Sequence, residues 1–166
     1  MRHRAIFIDN RRWMGQLRII IPAYDDPLRD ASLTDEEFFQ FAVAETLRKD
    51  GLPTDTPFFE MDELDAPSDR TFRNAWEAPQ GTIQVNMPKA RTIHMEAIRV
   101  VRNAELAAKD ITFMRAVEAG DTDAQTTIAT EKQVLRDIPQ TFDLTTDNDT
   151  PEELKAKWPT ELPARE

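Results

Sequence analysis

The sequence predicts an α+β fold, with an N-terminal β-hairpin making a small antiparallel sheet and a helical hairpin or three-helix unit filling the C-terminal half. Two short β-branched, apolar runs on either side of a polar stretch near the start predict the sheet. Apolar residues at three- and four-residue spacings between residues 87 and 137 predict the helices. Nine Phe, three Trp and 40% hydrophobic residues supply enough large side chains for a folded centre. At 166 residues the chain fits one domain, or one domain with a small appendage. Three regions are expected: 1–66 with the hairpin and a helix, 67–142 as the helical core, and 143–166 as a linker with a short helix and tail.

Element by element, Ala5 to Ile8 and Leu17 to Ile21 are the two strands, joined by a loop longer than two residues that holds Asn10 and Gly15. Pro22 and Pro27 close the ribbon, and Asp25, Asp26 and Asp30 form a polar turn that cannot continue a ladder. Thr34 stands three residues before Glu37, a capping box that starts a helix at Asp35; Phe38, Phe41, Ala42, Ala44 and Leu47 form its apolar side, and Gly51 stops it. Phe58, Phe59 and Met61 predict a third strand. Asp69 caps a short helix over Arg70 to Trp76, with Phe72, Ala75 and Trp76 on one face. Thr82 to Val85 is a short strand, after which Asn86 and Pro88 open the longest helix.

That helix is expected from Met87 to Lys109, about 33 Å at 1.5 Å per residue. Its buried stripe is Ala90, Ile93, Ala97, Ile98, Val101 and then Ala104 or Leu106. Asp110 is expected to cap a second helix that ends at Gly120, and Asp121 or Thr122 a third that Pro139 ends. Short connections imply antiparallel neighbours. Thr145 to Asp149 is a polar linker. Thr150-Pro-Glu-Glu153 starts a short final helix ending near Trp158-Pro159, with a frayed tail beyond Thr160.

Composition narrows the function classes. The 31 acids outnumber 21 Lys and Arg, leaving a net charge of −10 that repels phosphate backbones and anionic bilayers, so neither nucleic acid nor membrane is an expected partner. The absence of cysteine removes disulfides, thiolate metal sites and cysteine nucleophiles. The longest apolar runs, such as Ile19 to Ile21, fall far short of a membrane span, and the N-terminus has no apolar signal core.

No catalytic, cofactor or metal residues are predicted. The two histidines, His3 and His94, are separated by ninety residues and neither has a metal-spaced partner; His94 sits on the buried flank of the long helix. The paired acids Asp25/Asp26, Glu36/Glu37 and Asp62/Glu63 fit solvated faces and caps, and neither Ser32 nor Ser68 stands in a nucleophile elbow. Four glycines leave no Gly-rich phosphate loop. The chain is polarised instead: Arg2, Arg4, Arg11, Arg12 and Arg18 make the hairpin basic, while the end beyond Asp143 is acidic. Arg11, Arg12 and Trp13 on the hairpin loop, and Trp158 behind the polar linker, are the candidate partner-binding residues, since Arg and aromatic side chains anchor interfaces. Trp76, beside Phe72, is expected in the core.

Several stretches form an ordered series: Asp69-Arg-Thr-Phe-Arg-Asn-Ala-Trp76, Val85-Asn-Met-Pro-Lys-Ala-Arg91 with Ile93-His94, Phe113-Met-Arg-Ala-Val-Glu-Ala-Gly-Asp121, Lys132-Gln-Val-Leu-Arg-Asp137, and Glu153-Leu-Lys with Trp158-Pro159. Over residues 67 to 162 this series resembles small proteins encoded beside the tail genes of tailed bacteriophages, similar to tail and tail-fibre assembly proteins. The resemblance implies a non-enzymatic role: a chaperone that binds a phage tail or fibre protein in the host cytoplasm during assembly or, alternatively, an adaptor or decoration subunit retained in the virion tail. A homo-oligomer is compatible with either. The Arg-rich loop and the helix from Asp35 to Asp50 depart from the group, whose N-terminal hairpin is shorter and more apolar.

Overall fold

The computed structural model describes residues 3–9, 16–62, 67–146 and 149–165, which divide by their contacts into one unit over 1–86 and another over 87–166. The fold is α+β, with the sheet in the first unit and the longer helices in the second.

In the first unit, β1 (His3–Asp9) pairs antiparallel with β2 (Gln16–Ile20) through Ala5 opposite Ile20 and Ile8 opposite Leu17. β3 (Phe59–Asp62) adds to the other side of β1, giving the order β2-β1-β3. Alternation along β2 sends side chains to both faces of this sheet. On one face Ile20 packs with Phe39, Val43 and Leu47 of α1 (Asp35–Lys49), and Arg18 binds the carboxylate of Asp50 at 2.6 Å. On the other, Leu17 joins Met61, Trp76 and Ala78. That second layer is a two-stranded ribbon of β4 (Trp76–Glu77) and β5 (Gln84–Val85).

The capping box of α1 forms as expected: the Thr34 amide donates to the Glu37 carboxylate at 2.9 Å and the Glu37 amide donates to the Thr34 hydroxyl at 3.2 Å. Gly51, at φ +67°, ends the helix, and Leu52 N donates back to the Leu47 carbonyl at 2.8 Å. The buried stripe differs from the expectation. Phe39, Val43 and Leu47, at a strict four-residue spacing, face the sheet, whereas Phe38 is half-buried and Phe41 is 58% exposed. Two adjacent Phe offered two registers, and the one containing β-branched Val43 fills the sheet's face. The helix expected over Arg70 to Trp76 is reduced to a 3-10 turn at Arg73–Ala75, because Trp76 is extended and paired in β4. Phe72, Ala75 and Trp76 are nevertheless all buried, as the sequence spacing requires.

In the second unit, α2 (Met87–Glu118) is one continuous helix of 32 residues, so Asp110 does not cap a new helix. Its carboxylate instead takes an ion pair at 2.5 Å from Lys132 of α3 (Thr122–Thr141). A tight turn joins the two helices: Gly120, at φ +69°, donates to the Val117 carbonyl, Asp121 donates to the Ala116 carbonyl, and the Asp121 side chain caps α3 by accepting from Ala124 N. The pair is fastened by Lys109 to Glu131 at 2.7 Å, by Lys132 over the Phe113 ring at 5.1 Å, and by burial of Ala116, Leu135 and Ile138. Pro139 lies inside the last turn of α3 rather than ending it. The bond that its missing N–H would have made is lost, and Phe142 N closes the turn on the Ile138 carbonyl at 2.9 Å.

The described residues beyond α3 are not frayed. Asp143 takes bonds from the Thr145 amide and hydroxyl, Leu144 is buried, and α4 (Pro151–Ala156) starts with a full Thr150–Glu153 capping box and buries Leu154 completely. Leu162 is also buried, which ties down the tail beyond Thr160.

Candidate functional site

Of the four residues singled out from the sequence, Arg11, Arg12 and Trp13 lie outside the described residues. Trp158 is half-buried against its own unit. Its indole Nε1–H donates to the Pro163 carbonyl at 2.9 Å, its ring meets His94 edge-on with centroids 5.8 Å apart, and the Arg165 guanidinium lies 5.7 Å from its centroid. The same His94 holds the backbone one residue earlier, its Nε2 2.7 Å from the Lys157 carbonyl; since a carbonyl only accepts, this nitrogen carries the proton. Burial pushes the His94 pKa down, opposed by the Lys157 carbonyl and reinforced by the nearby Arg165 charge. Lys157 Nζ in turn donates to the Thr146 carbonyl at 2.9 Å. Trp158 thus fastens the C-terminal segment to α2.

The first unit also exposes apolar side chains to a partner. The turn after Pro27 and the start of α1 enclose a groove of about 350 Å³ lined by Leu28, Leu33, Phe38 and Phe41, with Asp26, Arg29 and Asp30 on its rim. Leu28 is 91% exposed, more than any other large apolar side chain among the described residues. Arg29 makes the wall rigid: its guanidinium stacks 4.6 Å over Phe38, donates to the Asp35 carboxylate at 2.7 Å and donates to the Leu33 carbonyl at 2.9 Å. Tyr24 meets Phe38 edge-on at 5.7 Å behind it.

The acidic rim is equally well held. Asp26 accepts from Leu28 N at 2.8 Å, which sets the turn that presents Leu28. Asp30 accepts from the Ser32 hydroxyl and amide, and these bonds hold its carboxyl below the usual range, so it is ionised at neutral pH. The arrangement can receive a bulky apolar side chain whose neighbours are cationic. Sequence reasoning overlooked Leu28 because a lone apolar residue in a polar turn carries no periodic signal, and it assigned Phe41 to the core. The usable signal was the Asp-Pro-Leu-Arg-Asp order of residues 26–30, in which the turn residues bracket a leucine with no apolar neighbour to pack on.

Among the described residues no three His, Asp or Glu side chains converge as metal ligands, and no helix is long and apolar enough to cross a membrane. Comparison with protein-family models gave no match, and searches of the curated proteins and of the solved structures gave none either.

Proposed function

We propose that this chain is a non-enzymatic bacteriophage tail or tail-fibre assembly protein that acts in the host cytoplasm by binding another phage structural protein. The observation that carries the reading is the Leu28–Phe41 groove, a rigid apolar surface with an ionised rim. Preorganised walls reduce the ordering cost of binding, and the acids select against anionic partners. The motif series from Asp69 to Trp158 supports the phage assignment. The segment recognised is one presenting a large apolar side chain next to Lys or Arg.

A second reading, a subunit retained in the virion as an adaptor or decoration, is favoured by the sheet order, which leaves β3 on an edge where a neighbour's strand can add. One experiment separates them. Phage particles purified on a density gradient, and complexes captured from infected lysate by tagged wild-type, Leu28→Asp and Phe41→Asp chains, are quantified by mass spectrometry. An assembly factor is absent from particles, captures a tail or fibre protein, and loses it in both variants. Stoichiometric presence in particles supports the virion subunit. Capture of no phage structural protein, or equal capture by all three chains, overturns the groove reading.

A further inference from the structure

α2 carries two apolar faces, and α3 covers only one. The covered face contains Ile98 and Ala116, with Phe113 beneath Lys132. Rotated by roughly half a turn, at 100° per residue, lies a second line: Ala97, Val100, Ala104, Ala107, Ile111 and Met114. Its spacings are three, four, three, four and three residues, the heptad alternation of a coiled-coil seam, with no charged residue in a chain that is 31% charged. From Val100 onward the seam is solvent-exposed: Val100 is 70%, Ile111 57% and Met114 56% exposed, and Ala104 and Ala107 are exposed as well. Ala108, beside the seam, is exposed too and widens it.

We propose that this face of α2 pairs with the same face of a second copy of the chain, as a parallel, in-register two-helix seam. Three features select that occupant. First, the alternation is sustained over the described exposed length, about 21 Å at 1.5 Å per residue, and small Ala at the centre lets two backbones approach closely. Second, the flanking charges are self-complementary in parallel register. Residues that flank the seam on one side, Glu96, Asn103 and Asp110, then oppose Val101, Ala108 and Arg115 of the second copy, so Asp110 meets Arg115 twice and no like charges meet. Arg115 forms no ion pair among the described residues, and Lys132 pairs with Oδ1 of Asp110. An antiparallel pairing centred between Ala104 and Ala107 would place Asp110 against Asn103 and Glu96 against Val117, forming no charged pair. Third, the area suits a reversible dimer. The exposed seam and its flanks amount to on the order of 500 Å² per chain, below the roughly 800 Å² per partner of a standard stable interface. A face of that size is typical of weak, reversible association, so the concentration series has to reach on the order of 10⁻⁴ M.

The inference is independent of the groove and of the partner proposed above. Its test is sedimentation velocity of the full chain across a concentration series reaching that value, beside Ile111→Glu, whose side chain points away from α3 and whose fold is checked by circular dichroism. Wild-type mass should rise from 19.1 kDa toward twice that value, while Ile111→Glu remains at 19.1 kDa. Because the chain has no cysteine, register is read from single substitutions: oxidised Val100→Cys should form a disulfide dimer with itself. A wild-type mass constant at 19.1 kDa, or dimerisation unchanged in Ile111→Glu, overturns the proposal. So does Val100→Cys that cross-links only with Ile111→Cys, the antiparallel outcome. A monomeric Val100→Cys chain whose introduced thiol resists alkylation would assign the face to another part of the same chain and overturns it as well.

Discussion

Truncating Leu154 to Ala should release the C-terminal segment from α2 while leaving the α2–α3 pair folded. Leu154 has no exposed surface, and removal of a fully buried Leu side chain to Ala costs about 2–5 kcal/mol, depending on how far the site collapses. α4 has six residues, far below the dozen or so a helix needs to persist alone, so its stability is that of docking. Even the lower figure, about 2 kcal/mol, raises the open population roughly 30-fold, since 1.4 kcal/mol is a factor of ten. The assay is native-state trypsin cleavage at Lys155 and Lys157, which requires an extended backbone and follows the open population when reclosing is fast. The Trp158 indole N–H resonance should simultaneously leave the position set by its bond to the Pro163 carbonyl. Glu152→Ala, on the exposed side of the same helix, should change cleavage by only a few-fold. Cleavage of Leu154→Ala within about twofold of wild type, with the indole resonance unmoved, would refute the view that Trp158 is held by its own unit.

Three other substitutions test the local physics. Thr34→Ala should destabilise the first unit by about 1 kcal/mol, read from its urea midpoint. It should also flatten that unit's acid dependence: Glu37 is held below its ordinary 4.5 by the Thr34 amide and then its hydroxyl, so its contribution is present above 4.5 and lost as pH falls. Gly120→Ala should destabilise the α2–α3 turn by about 1 kcal/mol, because φ is +69° and the cost is backbone strain; nothing lies within 4 Å of the added Cβ, so a much larger loss would point to a clash that the geometry lacks. For His94 the folded pKa lies below 6.5, so the unfolded chain takes up the proton first and the stability of the second unit falls as pH drops through 6.5. His94→Gln should remove that slope between about pH 7.5 and 5.5, measured through the Trp158 resonance in urea, and an unchanged slope would place the titration elsewhere.

What the sequence revealed best was chemistry confined to a few neighbouring residues. Both capping boxes, the glycine stops at Gly51 and Gly120, the strand at Phe59–Asp62 and the burial of His94 and Trp76 were legible because cap, turn and short-range spacing are local. Misreadings arose where a distant partner decided the outcome. Asp110 has every attribute of a cap, but Lys132, more than twenty residues away, offers it a better contact and the helix runs on. The tail beyond Thr160 reads as frayed because Leu162 has no partner at short range in the sequence, yet the fold buries it.

α2 is the sharpest instance, and it explains why the interaction surfaces were harder to find than the core. The expected stripe ran through Ala90, Ile93, Ala97, Ile98, Val101 and then Ala104 or Leu106. At 100° per residue these positions spread over more than a third of the helix surface, and the structure buries Ala90, His94, Ile98 and Ala116 while leaving Ala104 exposed. A helix apolar on opposite sides has a weak hydrophobic asymmetry, so periodicity identifies the helix without identifying its inside. The positions of α3 and of the C-terminal segment assign one line to the core, and what remains on the other side is then apolar surface without a covering element in its own unit. The same logic applies to Phe38 and Phe41 in α1: once Phe39, Val43 and Leu47 meet the sheet, their neighbours are displaced to the rim of a groove. In both helices, apolar residues in excess of what the unit can bury mark the surfaces on which association can be tested.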